Sequence, residues 1–216
     1  MHDCRSHATG RAHSLVDVSD LPYSAEVQIV LLHASPVHRY EGRPADGPLP
    51  AVGEESHEYI EVRAGLGIVG DRHFGRRAHV QASVTVMNAQ VLDRVAAELG
   101  LPHPLEASAT RRNILLRGVE VDSLRGATFS LDSGDGPIEF HAHRPANPCA
   151  WMDVMLAPGA HRALRGRGGL RCEPLTDGML RLGPATMQCN VPLAVTGAAR
   201  PARPERPGSP PGSSGS

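Results

Sequence analysis

Short apolar runs bounded by turn residues recur through the middle of the chain: Val27 to Leu32, Tyr59 to Val62, Ser83 to Met87, Ile114 to Leu116, Ala127 to Leu131, Ile138 to Ala142, Leu170 to Pro174 and Met179 to Leu182. Segments of this length with period-two patterning predict strands. One stretch breaks the pattern. Val91, Leu92, Val95 and Leu99 fall on one face at helical spacing, with Asn88 placed to cap the start, Gly100 to end it and Pro102 just beyond. This predicts a helix whose role is packing. Ser133-Gly134-Asp135-Gly136 and Asp177-Gly178 read as hairpin turns between neighbouring strands. Many short strands with few helices predict a mainly β, barrel-like single domain.

The ends differ from this middle. Residues 1–24 are polar and His-rich without periodicity, and residues 198–216 consist largely of Pro, Gly, Ser and Arg. Such compositions cannot offset their own ordering entropy, so both are expected as tails around a domain over 25–190. Within it, Ser35 to Glu55 contains Pro36, Pro44, Pro48 and Pro50 with three glycines, and reads as a long surface loop.

Composition narrows the chemistry. The 216 residues include no lysine, so all 22 basic residues are arginine, balanced by 23 acidic ones for a net charge of -1. Without a side-chain amine the chain cannot hold pyridoxal phosphate as a Schiff base, nor build a Walker-type phosphate loop. The balanced charge gives no footprint for a nucleic acid. The N-terminal stretch lacks the apolar core of a signal peptide and no run is long enough to span a bilayer, so a cytoplasmic protein without a membrane partner is expected. Cys4, Cys149, Cys172 and Cys189 form no C-x-x-C pair, which predicts reduced thiols rather than a zinc knuckle or disulfide framework.

The most informative segment runs from His141 to Asp153. It leaves a strand and enters a short predicted helix through Pro145 and Pro148. With Asn147 as N-cap and Pro148 as the first helical residue, Cys149 would sit at the helix start, near Arg144, a position that favours a thiolate nucleophile or soft-metal ligand. The alternative is a small buried hydrophobe at a turn. Cys172 lies in an alternating strand and reads as an inert core thiol. His141 and His143, two apart on a strand, share a face and form either a metal pair needing further ligands or a half-exposed surface.

Two other turns concentrate polar groups. Gly67-Ile-Val-Gly70-Asp71-Arg72-His73 joins flexible glycines to an acid, a guanidinium and an imidazole, although Asp71 alone could serve to hold the turn. Arg111-Arg112-Asn113 opens a strand with forked donors suited to a phosphate or polar heterocycle, or with solvated charges. Arg165-Gly-Arg167-Gly168-Gly169 reads as a flexible connector or a backbone anion nest.

Taken in order, Gly67 to His73, Arg111-Arg-Asn-Ile-Leu115 with Gly118, Leu124 and Gly126, Arg144-Pro-Ala-Asn-Pro-Cys149-Ala-Trp-Met152, then Gly166 to Leu170 and Asp177-Gly178, resemble the MOSC family, the domain named from the C-terminal part of molybdenum cofactor sulfurases. The likeness covers about residues 26 to 187 and is nearest to small bacterial stand-alone members. It implies a β-barrel-like fold and a single functional cysteine, matched by Cys149, that carries sulfur as a persulfide or ligates molybdenum. It implies a sulfurtransferase-like protein, a molybdenum-pterin cofactor, and a separate pyridoxal-phosphate cysteine desulfurase as sulfur donor, with a small molecule or cofactor as acceptor. Asp71, Arg72, Arg111, Arg112, Asn113 and Arg144 then become cofactor or substrate anchors. The alternatives are a carbon–sulfur lyase in the same pocket, with His73 or His143 as acid or base, and a non-catalytic module binding the molybdenum cofactor or another metal, for which Cys149, His141, His143 and His73 are the ligand candidates. Many small members carry a second cysteine three residues before the functional one; Ala146 stands there, which favours direct handover of sulfur over release through an adjacent thiol.

Overall fold

The computed structural model describes residues 21–196. Alternating apolar positions set its core. Strands β1 (Tyr23–Leu32), β4 (Val84–Asn88), β5 (Ile114–Arg117), β6 (Thr128–Asp132), β7 (Ile138–Pro145), β8 (Leu170–Pro174) and β10 (Gly183–Cys189) close into a seven-stranded barrel in the order β1-β10-β6-β7-β8-β4-β5. Its interior is filled by Val27, Ile29, Val84, Val86, Ile114, Leu116, Phe129, Phe140 and Met187, among others. Burying each large side chain there contributes about 2 kcal/mol. A separate three-stranded sheet joins β2 (Tyr59–Arg63), β3 (Gly67–Ile68) and β9 (Gly178–Arg181).

The predicted helix is present as α1 (Gln90–Glu98), with Asn88 Oδ1 accepting from the Gln90 amide at 2.8 Å. It crosses between β4 and β5, which pair in parallel, the geometry such a crossover permits. Both faces of β4 are therefore buried. Val84 and Val86 fill the barrel, while Met87 and Leu115 point outward against Val91, Leu92 and Val95 of α1 and against Trp151 and Met152 of α2 (Trp151–Met155). A third helix, α3 (Ala160–Ala163), completes this outer layer.

Two turn assignments part company. Ser133 to Gly136 does join β6 to β7 antiparallel, with Asp132 Oδ1 accepting from the amides of Gly134 and Gly136 at 2.8 and 3.2 Å. Asp177-Gly178 is not a hairpin: β8 pairs with β4 and β7, whereas β9 pairs with β2. The Asp177 carboxylate instead accepts from the Ala64 amide at 2.7 Å and from Arg63, tying the β9 entry to the β2 exit. Strand β10 also lies beyond the predicted runs, since its alternation is masked by Gly183 and Pro184 at its start. Among the described residues no helix is long and apolar enough to cross a membrane.

Candidate functional site

Cys149 lies just past the end of β7, in the turn that leads to α2. Ala146 is fully buried; its amide donates to the Gly169 carbonyl at 2.7 Å and its carbonyl accepts from Arg112 Nη2 at 2.6 Å. The same nitrogen reaches the Asn147 carbonyl at 3.4 Å, while Arg112 Nε donates to Gly168 O at 2.8 Å. One guanidinium thus staples the cysteine segment to the glycine turn before β8. Gly168 leaves no room for a side chain, because a Cβ there would stand 2.5 Å from the Ala146 oxygen. In the glycine turn the Gly169 amide is taken by Asp122 Oδ1 at 3.0 Å.

The helix start is displaced from its expected place. Ala150, not Asn147, stands at the N-cap of α2, without a side-chain cap, and the Cys149 carbonyl accepts from the Met152 amide at 2.9 Å. Arg112 holds the carbonyls before Cys149, so the chain turns helical only after it. With five residues, α2 places no helix start at the cysteine itself. Cys149 is exposed, whereas Cys172 and Cys189 are buried, and burial pushes both of those thiols up in pKa. Cys4 lies outside the described residues.

Arg112 explains the charge at this turn. The bonds of its guanidinium go only to carbonyl oxygens, those of Ala146, Asn147, Gly168 and Thr110. Burial lowers its pKa to about 10 and Arg171 and Arg72 press the same way, while a negative sulfur at Cys149 and the Asp122 carboxylate oppose them. Arg171 was not singled out from the sequence. Its signal was the alternation of β8, which buries Leu170, Cys172 and Pro174 and turns Arg171 outward, in register with Arg144 of β7 and Thr85 of β4. Among the described residues the guanidiniums of Arg72, Arg144 and Arg171 make no hydrogen bond or ion pair with protein groups. Arg171 and Arg72 lie close enough to Arg112 to act on it, and Arg144 stands in register with Arg171; Arg144 is exposed and Arg72 and Arg171 are half-buried.

The remaining anchors expected from the sequence are committed to the protein. Arg111 adopts the left-handed conformation at φ 53° and is buried rather than solvated. Its Nη1 donates to both Glu55 oxygens at 3.1 Å, its Nη2 donates to the Val37 carbonyl at 2.9 Å, and its guanidinium lies 5.4 Å over the Tyr40 ring. Glu55 also accepts from Ser35 Oγ and Arg39, which hold its carboxyl down at about 2 against the opposing cost of burial. Asn113 Oδ1 accepts from the Thr85 amide and hydroxyl at 2.9 and 2.8 Å, and its Nδ2 donates to the His33 carbonyl and Asp71 Oδ2. Asp71 holds its own turn by accepting from the His73 amide at 2.9 Å and reaches across to the Ser35 amide. The loop from Ser35 to Glu55 is therefore bound to the barrel through Glu55, Asp71 and Tyr40; of these the sequence marks Asp71 but not Glu55 or Tyr40.

Four of the histidines form two separate pairs. His141 and His143 share a face as expected, with ring centroids 4.6 Å apart, and His143 Nε2 meets Glu173 Oε2 at 3.0 Å. His73 packs against His79 with centroids 4.6 Å apart, and burial first, then Arg72, lowers its pKa to about 4. Among the described residues neither His73 nor His143 hydrogen-bonds Cys149. Among the described residues no group of three His, Cys, Asp or Glu side chains is placed to hold a metal ion.

Comparison with known proteins bears on this arrangement. No curated protein matches the sequence. Among solved structures, the fold is similar to that of the YuaD protein from Bacillus subtilis, at 16% identity and a TM-score of 0.58 over 77% of this chain and 97% of that one. YiiM from Geobacillus stearothermophilus aligns at 15% identity and a TM-score of 0.49 over 79% of this chain and 75% of that one. The model of the MOSC domain matches residues 69–185, a span that runs from the Asp71 turn through Arg112 and the Cys149 turn to the start of β10. The seven-stranded barrel, the arginine-held cysteine turn and this match together make the chain a member of the MOSC domain family.

Proposed function

We propose that the protein handles sulfur through Cys149 as a sulfurtransferase-like persulfide carrier. The observation that carries this reading is an exposed thiol on a turn whose preceding carbonyls are held by the half-buried guanidinium of Arg112, which bonds only to carbonyl oxygens. The Cys149 thiolate attacks the outer sulfur of a donor persulfide, the donor S–S bond breaks, and the donor leaves as a thiolate. Cys149 is left as the persulfide, and the reverse step hands the sulfur to an acceptor. The donor is a separate cysteine desulfurase, since this chain has no lysine to hold pyridoxal phosphate. Ala146 and the buried Cys172 and Cys189 place no thiol beside Cys149 among the described residues, which suits direct handover.

The same donor set fits the molybdenum-pterin cofactor associated with the family. Cys149 offers a soft sulfur ligand, and Arg72, Arg144 and Arg171 offer open guanidiniums to a phosphate. The cofactor would supply metal-centred oxygen or sulfur transfer; the residues of this chain would bind and orient it.

Incubation with a cysteine desulfurase and cysteine, followed by mass spectrometry, tests the persulfide reading. One added sulfur on Cys149, absent in Cys149→Ser and formed at least about tenfold more slowly in Arg112→Gln, is the expected result. Sulfur on no cysteine, or equal labelling of Cys149→Ser, overturns it.

A further inference from the structure

A cavity of about 540 Å³ lies between the end of β1, the stretch leading into β2, and Leu182 between β9 and β10. Leu31, Tyr59 and Leu182 give it apolar walls, Glu54 and Glu58 give it acidic ones, and no arginine lines it. Backbone bonds fix the three pieces of chain to one another: the His57 amide donates to the Leu32 carbonyl and the Leu182 amide to the Glu58 carbonyl, both at 2.9 Å. Tyr59 and Leu182 are 54% and 43% exposed, and Val30, where the register of β1 with β5 shifts, stands exposed next to Leu31. The Glu54 and Glu58 side chains are exposed and take part in no ion pair among the described residues. Arg181 lies 5.7 Å over the Tyr59 ring, but its charge is met by Asp135 at 2.6 Å. An apolar strip edged by unpaired carboxylates suits a segment that is apolar along its length and cationic along one edge.

The chain itself supplies such a segment. Thr196 is fixed beside β1: its amide donates to the Gly118 carbonyl at 2.8 Å, and it shares a hollow with Glu26, Val27 and Gln28. From Gln28 to Leu31 is about 10 Å of strand. Four extended residues span about 13 Å, so the sequence after Thr196 comes level with the cavity by Arg200. It continues Arg200-Pro201-Ala202-Arg203-Pro204-Glu205-Arg206-Pro207, which lies outside the described residues. Arginine and proline each recur there every three residues. A polyproline II helix has three residues per turn, so in that conformation the arginines would share one edge and the prolines the next. Proline-rich segments of this form are recognised by aromatic-lined grooves, because little order is lost when they bind.

We propose that residues 200–207 of the chain dock in this cavity, with prolines against Tyr59 and Leu182 and arginines on Glu54 and Glu58. The docking is intramolecular and does not depend on sulfur chemistry at Cys149.

Amide NMR of the full chain at low ionic strength tests the docking. The Ala202 amide is expected to show the order parameter of restrained backbone, about 0.8, and to fall below about 0.6 when Glu54→Gln and Glu58→Gln are combined. Both carboxylates are exposed, so the double variant folds. Salt at about 0.5 M should have the same effect, whereas Glu41→Gln, an exposed acid outside the cavity, should leave Ala202 restrained. Combining Arg200→Gln, Arg203→Gln and Arg206→Gln should shift the amides of Leu31, Tyr59 and Leu182. An unrestrained Ala202 in the native chain, or unshifted cavity amides in the triple variant, overturns the proposal. Restraint that fades on dilution assigns the segment to a second copy and overturns docking within one chain.

Discussion

Tyr40 lies flat against Trp151, ring centroids 5.1 Å apart and planes 12° from parallel. The stack clamps the proline-rich loop to the residue two positions after Cys149. The Tyr40 hydroxyl donates to the Ala109 carbonyl at 2.6 Å, so the ring is fixed at its tip as well as on its face. Stacked rings contribute about 1 kcal/mol beyond the area they bury, and a hydrogen bond contributes about another 1 kcal/mol. Tyr40→Phe is expected to cost about 1 kcal/mol and Tyr40→Ala about 2 to 3 kcal/mol in urea unfolding. Tyr40→Ala should also open the Ser35 to Glu55 loop to limited proteolysis while Tyr40→Phe does not. Equal costs for the two variants would show that the stack contributes nothing.

Acid should destabilise the fold in two stages, each with the same sign. His33 is buried with both ring nitrogens unpartnered, and burial, then Arg111, lowers its pKa from 6.5 to about 4. A folded pKa below the unfolded one means that stability is full above about 6.5 and falls as pH drops toward about 4. Glu55, lowered from 4.5 to about 2, adds a further loss between those values as its bonds to Ser35, Arg111 and Arg39 are protonated away. Denaturation midpoints across pH should therefore slope downward from about 6.5 in the native protein, and His33→Leu should flatten the upper stage alone. An unchanged slope in His33→Leu would assign that stage to other groups, His73 first among them.

Gly168→Ala tests how the cysteine turn is held. Its methyl group would meet the Ala146 oxygen, the atom that Arg112 grips. Displacing that carbonyl is expected to cost about 2 kcal/mol and to change the rate at which an alkylating reagent modifies Cys149. Gly166→Ala, two positions away in open space, has strain from its φ of 76° but no such neighbour, and should leave the alkylation rate unaltered. The same change of rate in both variants would point to loss of the turn as a whole rather than of the Ala146 contact.

Local pattern made much of the barrel legible. Leu170, Cys172 and Pro174 alternate inward from Arg171 and Glu173, and the strand was read at its observed bounds. The α1 helix announced itself through Val91, Leu92 and Val95 with Asn88 at its start. What local pattern does not carry is which distant groups meet. Arg112 and Asn113 were both read as ligand anchors, yet each spends its polar atoms on backbone or side chains far away in sequence, Arg112 on Gly168 and Asn113 on Thr85. Conversely Glu55 and Tyr40 lie in a segment without periodicity, so nothing near them marked their part in fixing Arg111. The open cations are those on strand surfaces or turns where no carbonyl waits within reach, and only the folded register of Arg171 against Arg144 brought that out.

The seam of the barrel joins its earliest strand to its latest, with Tyr23 opposite Cys189 and Ile29 opposite Gly183. During synthesis the inward side of β1 must wait for β10 to leave the ribosome, at roughly 5–20 residues per second. Half of its hydrogen-bonding edge is open to other nascent chains in that interval. The same seam brings the two ends of the barrel side by side, so a short peptide bridging them, with new termini cut elsewhere in an exposed turn, would give a circularly permuted protein in which that delay is removed.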